Sequence, residues 1–189
     1  MMVKAKKIIL IGGSAGAYEL MIEIFNALPK MFKAAIVVIL HRNERFSTQI
    51  EETLSQQLGR EIHQAADKEE ISGGNIYFAP PGYHLLIEPN YVFSLDVSER
   101  VQFSRPSIDV LFETAAEVYR NKCTAFLLSG ANKDGSDGLQ FVHALGGNAI
   151  VQLPENARMS FMPKHAIHSN EKFEIYSNTQ IIMFFKSLK

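Results

Sequence analysis

Ser14 stands in the run IILIGGSAGAYEL, where apolar residues lead into Gly12-Gly13-Ser14-Ala15-Gly16 and a helical pattern follows. The spacing matches G-x-S-x-G, a turn that lifts a serine hydroxyl above the end of a strand while the next helix aims its first amides at the same point. His41 follows the apolar run AAIVVIL, and Asp134 lies in LLSGANKDGSDG, just beyond the run CTAFLL. Together these are the residue types of nucleophilic acyl transfer: the serine attacks, the histidine takes its proton, and the aspartate fixes the imidazole tautomer and steadies its charge. Asp137 repeats the Asp-Gly dipeptide close by, and spacing alone leaves the two aspartates open. A glycine-rich corner can instead bind phosphate on its helix N-terminus. Here Ser14 occupies the second glycine position of the dinucleotide fingerprint and no Lys-Ser or Lys-Thr pair follows, so a nucleotide site fits poorly.

The other histidines, His63, His84, His143, His165 and His168, show no metal-ligand spacing to a cysteine or carboxylate and read as structural or solvated, so no metal or cofactor is expected. Cys123 opens an apolar run and reads as a small buried hydrophobe; a lone cysteine forms no internal disulfide. Phe161 and Met162 read as core residues, as such side chains usually are.

Three candidate residues at the ends of apolar runs need a scaffold that brings those ends together. KKIILIG, AAIVVIL, CTAFLLSG and NAIVQ have the length and continuous apolarity of buried strands. Between them, Ala17, Leu20, Met21, Ile24, Phe25 and Leu28 follow a helical period, as do Phe46, Ile50, Leu54 and Leu58, where Thr48 and Glu51 are spaced as a capping box. SRPSIDVLFETAAEVY gives a third helix, with Ser107 as its cap and Ile108, Leu111, Phe112, Ala115 and Tyr119 on one face. A short helix over 139–145 ends at Gly146-Gly147, and TQIIMFFKSLK closes the chain as a helix. Strands buried on both faces and separated by helices imply a three-layer α/β/α domain with a mainly parallel sheet. NIYFAPPGYHLLIEPNYVFSL departs from that rhythm and suggests a short antiparallel β meander around residues 75–103. In such a sheet, ligands bind outside the carboxyl ends of the strands, where the three candidates sit.

At 189 residues and 47% hydrophobic content, one domain with a sizeable core accounts for the whole chain, 1–189. A formal net charge of −1 with scattered charges gives no footprint for nucleic acid and no basic stretch for a membrane surface. MMVKAKK precedes an apolar segment too short for a signal peptide and broken by Gly12-Gly13, so a cytoplasmic location is expected.

Across nearly its whole length the chain resembles the catalytic domain of the CheB-type chemoreceptor glutamate methylesterases. The matching pieces are IGGSAG, His41, NIYFAPPGYHLL, RPSIDVLF, SGANKDGSDG, LGGNAIVQ and FMPKHAI, in the family's order. The resemblance implies Ser14 as nucleophile, His41 as general base and Asp134 as the orienting acid, with backbone oxyanion support at Ala15 and Ala131. It implies hydrolysis of γ-glutamyl methyl esters on a methylated helical protein such as a chemoreceptor cytoplasmic domain, releasing methanol, and glutamine deamidation in some members. Ala15 stands where the family usually has threonine, and Gly130-Ala131-Asn132 replaces its Gly-Met-Gly. From these departures an alternative follows, a weakened binding or regulatory module. Chemotaxis members commonly carry an N-terminal receiver domain, and the start of this chain almost at its first strand leads us to expect none.

Overall fold

The computed structural model describes residues 4–41 and 50–189. The expected apolar runs form β1 (Ile8–Gly13), β2 (Ala35–Leu40), β7 (Cys123–Leu127) and β8 (Asn148–Gln152). Three shorter strands, β3 (Ile62–Gln64), β4 (Ile76–Phe78) and β9 (Glu174–Tyr176), complete a seven-stranded sheet in the order β3-β4-β2-β1-β7-β8-β9. Each of its pairings is parallel.

The alternation of side chains along β1 sets the layers. Ile9 and Ile11 pack with Leu20, Met21, Ile24 and Phe25 of α1 (Tyr18–Ala27), Leu54 of α2 (Ile50–Leu58), and Ile181 and Phe185 of α6 (Asn178–Lys186). Ile8 and Leu10 pack on the opposite face with Leu111 and Phe112 of α3 (Ile108–Tyr119), Leu139 and Val142 of α4 (Ser136–Ala144), and Met162 and Ala166 of α5 (Phe161–Ser169). Each such buried aliphatic side chain contributes about 1.5–3 kcal/mol, so both faces of the sheet must be covered. The three-layer α/β/α expectation holds.

The segment expected as a meander divides between two sheets. Its first strand, β4, joins the parallel sheet between β2 and β3. β5 (His84–Ile87) and β6 (Phe93–Asp96) pair antiparallel, joined by a turn at Pro89-Asn90 in which the Tyr91 amide donates to the Glu88 carbonyl at 2.8 Å. This hairpin adds Leu85, Ile87 and Phe93 to the core beneath α3.

Element ends shift by a few residues. The helix expected over 139–145 begins earlier, at Ser136, and the closing helix begins at Asn178 behind a capping box formed by Ser177 and Gln180. β3, β9 and α5 have no counterpart in the sequence reading: the two strands are three residues each, too short to show a period, and α5 carries Pro163 in its first turn, where proline is tolerated. Phe46, Thr48 and the proposed Thr48–Glu51 capping box lie outside the described residues, apart from Glu51 itself.

Candidate active site

β2, β1 and β7 are neighbours, so their carboxyl ends share one edge of the sheet. The chain leaves β1 toward β2 on one side and later returns to β7 on the other. The crevice at β1 is therefore a topological switch point, where open α/β sheets place ligands.

Ser14 follows β1 directly and is half-buried. Its amide donates to the Ser129 carbonyl at 2.9 Å, while the Ser129 hydroxyl donates to the Ala15 carbonyl at 2.8 Å and accepts from the Met159 amide at 2.8 Å. Ser129 thus clamps the serine turn to the loop beyond β7. Of the turn's glycines, only Gly16 is left-handed, at φ +82°; a Cβ there would also lie 2.6 Å from Arg158 Cβ. Gly12 serves proximity instead, because a Cβ would meet Ile108 Cγ2 of α3 at 2.5 Å. The first turn of α1 carries no side-chain cap.

His41 follows β2 in register with Ser14, since Gly13 pairs with Leu40 and the His41 amide donates to the Gly13 carbonyl at 3.2 Å. The His41 Nε2–H donates to Asp134 Oδ2 at 2.7 Å. That bond leaves Nδ1 as the ring's second nitrogen. The spacing-based ambiguity between the aspartates is resolved here: Asp134 is fully buried against His41, whereas Asp137 is exposed in α4.

Asp134 also accepts from the Ile108 amide on Oδ2 at 2.8 Å, and on Oδ1 from the Ser107 hydroxyl at 2.8 Å and the Asp109 amide at 3.0 Å. Burial opposes its charge, but the His41 hydrogen bond and charge together with these amides hold its carboxyl below the usual range. It is an ionised acceptor at the positive end of α3. Ser107 occupies the N-cap position as expected, but its hydroxyl caps nothing on its own helix and serves Asp134 instead. The Ser107 amide in turn donates to His84 Nδ1 at 3.2 Å, and His84 Nε2–H donates to the Glu99 carbonyl at 2.9 Å. His84, expected to be structural, is a buried strut beneath this cradle.

Asn132, one of the departures from the family pattern, ties down the loop that carries Asp134. Its Oδ1 accepts the Asp134 amide at 3.3 Å and its Nδ2 donates to Ser104 Oγ at 3.3 Å. Ala15 and Ala131 are exposed on the two loops that flank the crevice. Phe161 and Met162 part ways: Met162 is fully buried, while Phe161 is 55% exposed and stacks on His165, so the core expectation fails for it. As the first residue of α5 it lies beyond the reach of the core. Cys123 is buried in β7, where desolvation pushes its thiol up to about 12. Among the described residues, no three His, Cys, Asp or Glu side chains gather as a metal site, and no helix is long and apolar enough to cross a membrane.

Sequence reasoning passed over Asp109 and Ser129, and read Ser107 only as a cap and His84 only as structural or solvated. RPSID carried a signal, a serine and an aspartate at a helix start, but that pattern reads locally as a cap. Its true partner lies across the fold.

A parallel α/β sheet with a serine turn, a histidine and a buried aspartate at adjacent strand ends defines the class of carboxyl-ester hydrolases. The chain belongs to the CheB methylesterase family, whose sequence model matches residues 9–184. It is 44% identical over 177 residues to a Leptospira interrogans protein named for protein-glutamate methylesterase and protein-glutamine glutaminase activities, covering 94% of this chain and 92% of that one. A Thermotoga maritima protein-glutamate methylesterase/protein-glutamine glutaminase is 34% identical over 164 residues, 85% of this chain and 48% of that longer one. The crystal structure of the Thermotoga maritima CheB methylesterase catalytic domain superposes with a TM-score of 0.83 at 30% identity, covering 95% of this chain and 97% of that one.

Proposed function

We propose that this chain hydrolyses γ-glutamyl methyl esters on a methylated helical protein, such as a chemoreceptor cytoplasmic domain, in the cytoplasm. Ser14 Oγ attacks the ester carbonyl as His41 Nδ1 takes its proton. The imidazolium returns that proton to the departing methoxide, and methanol leaves an acyl-enzyme. Water, deprotonated by His41, then frees the glutamate and restores Ser14. Backbone amides at Ala15 and Ala131 are assigned to the developing oxyanion. Glutamine at the same position follows the same route, releasing ammonia in place of methanol.

The observation that carries this reading is the 2.7 Å bond to a fully buried Asp134 from His41, which follows the strand next to that of Ser14. It also weighs against a weakened binding module. The histidine and its aspartate are paired, and Asn132 holds the aspartate's loop. The test is methanol release from a methyl-esterified chemoreceptor cytoplasmic fragment at neutral pH. Ser14→Ala and His41→Ala are each expected to reduce kcat by about 10³-fold or more, since removing either unit of such a triad abolishes most of its catalysis. Unchanged release by folded Ser14→Ala disproves the mechanism.

A further inference from the structure

Two acids in this site exchange helix starts. Asp134, on the loop before α4, accepts the first amides of α3, from Ile108 and Asp109. Asp109, in the first turn of α3, accepts the amides of Gly135 and Gly138 at the start of α4 on its Oδ1, at 2.9 and 2.8 Å. Asp109 is itself buried, with 7% of its surface exposed. The two glycines permit the approach: a Cβ on Gly138 would lie 2.7 Å from the Asp109 carbonyl oxygen, and one on Gly135 would lie 2.5 Å from Leu127 Cδ1. The spacing D-G-S-D-G thus has a structural cause in the partner helix.

We infer that Asp109 is a positioning residue for the His41–Asp134 pair, locking the loop that bears Asp134 onto α3. The inference rests on the triad assignment above. A displaced Asp134 carries the imidazole with it, and misplacement of a reacting group by about 1 Å can cost about 10²-fold in rate. Asp109 touches neither His41 nor the substrate crevice directly and acts only through Asp134.

Geometry across two helices distinguishes this role from that of a plain helix cap. Burial, then the charges of Asp134 and Asp137, push the Asp109 carboxyl up to about 7, while Asp134 stays ionised. The titratable groups around Asp109 are Asp134 and Asp137, His41 beyond Asp134, His84 behind the Ser107 amide, and His165 against Ser136. With its carboxyl raised to about 7, Asp109 carries little charge below neutral pH, so its hold on the Gly135 and Gly138 amides rests on its carbonyl-like oxygen. A neutral side chain with the same oxygen therefore keeps the lock.

The experiment compares Asp109→Asn, Asp109→Ala and Ser14→Ala with the unmodified chain on the methylated chemoreceptor fragment from pH 5 to pH 9, with folding checked by circular dichroism. Asparagine keeps an oxygen for both glycine amides but lacks the charge. We expect Asp109→Ala to lose about 10- to 100-fold in kcat with KM within about twofold. Asp109→Asn is expected to recover to within about threefold of the unmodified kcat, because the oxygen that holds the two glycine amides is retained. Unaltered kcat in folded Asp109→Ala, or an Asp109→Asn that falls as far as Asp109→Ala, overturns the inference while leaving the triad intact. If Asp109→Ala does not fold, Asp109→Ser replaces it, with the same expected loss in kcat at unchanged KM. Full turnover by Ser14→Ala removes the triad assignment and this inference with it.

Discussion

Each oxygen of Asp134 accepts two hydrogen bonds, from His41 and the Ile108 amide on one and from Ser107 and the Asp109 amide on the other. A carboxylate so saturated has no spare acceptor and one orientation, which is what the orienting member of a triad requires. Ser107→Ala removes the hydroxyl donor and leaves the site otherwise intact. A hydrogen bond to a charged group contributes about 1.5–3 kcal/mol, so urea unfolding is expected to show a loss of that size, accompanied by a fall in kcat. The two acids also act oppositely on stability as pH changes. Asp134 lies below its unfolded value, so its contribution is present above about pH 4 and is lost as pH falls through the folded value. Asp109, raised from 3.8 to about 7, contributes fully below its unfolded value and loses that contribution as pH rises toward 7. The urea midpoint of the unmodified chain is therefore expected to fall relative to that of Asp109→Asn between pH 4.5 and pH 7.5. Parallel midpoints would show that Asp109 keeps its ordinary affinity for protons.

At the scale of elements, the serine turn works because its glycines do different things. Gly12 admits α3 against β1, and Gly16 alone turns left-handed beside Ser129 and Arg158. Alanine at 16 imposes both left-handed strain and a clash, which together are expected to cost about 1–3 kcal/mol and to displace Ser14. Thermal unfolding and methanol release check it; an unchanged melting temperature with full activity refutes it. The long buried strands and amphipathic helices were legible because period and apolarity are local properties. β3, β9 and α5 were not, since three edge residues or a helix opening with proline present no period to read. Ser107 was recognised as a helix start, yet what its hydroxyl serves is fixed by a loop 27 residues further along.

Across the whole molecule, the order of the sheet does the assembling. β1 lies between β2 and β7, which brings together residues 14, 41 and 134 although no local signal links them. The same central placement shields Cys123 in β7, whose thiol is raised to about 12. A thiol-reactive probe is expected to modify it only at the rate of global unfolding, because no smaller opening exposes a central strand. Fast labelling under native conditions would contradict so deep a core.

The sequence by itself determined that this is a three-layer α/β domain, that Ser14, His41 and two candidate aspartates, 134 and 137, follow apolar runs, and that the family motifs occur in order and point to Asp134. Those features are written in neighbouring residues, through apolar period, turn chemistry and spacing. Only the tertiary structure decided that Asp134 is bonded to His41 while Asp137 is exposed, that Ser107 and His84 support it, and that Asp109 answers it from the facing helix. Each of those choices is a hydrogen bond between segments far apart in the chain. Its energy exists only once the sheet has set which strand ends are neighbours.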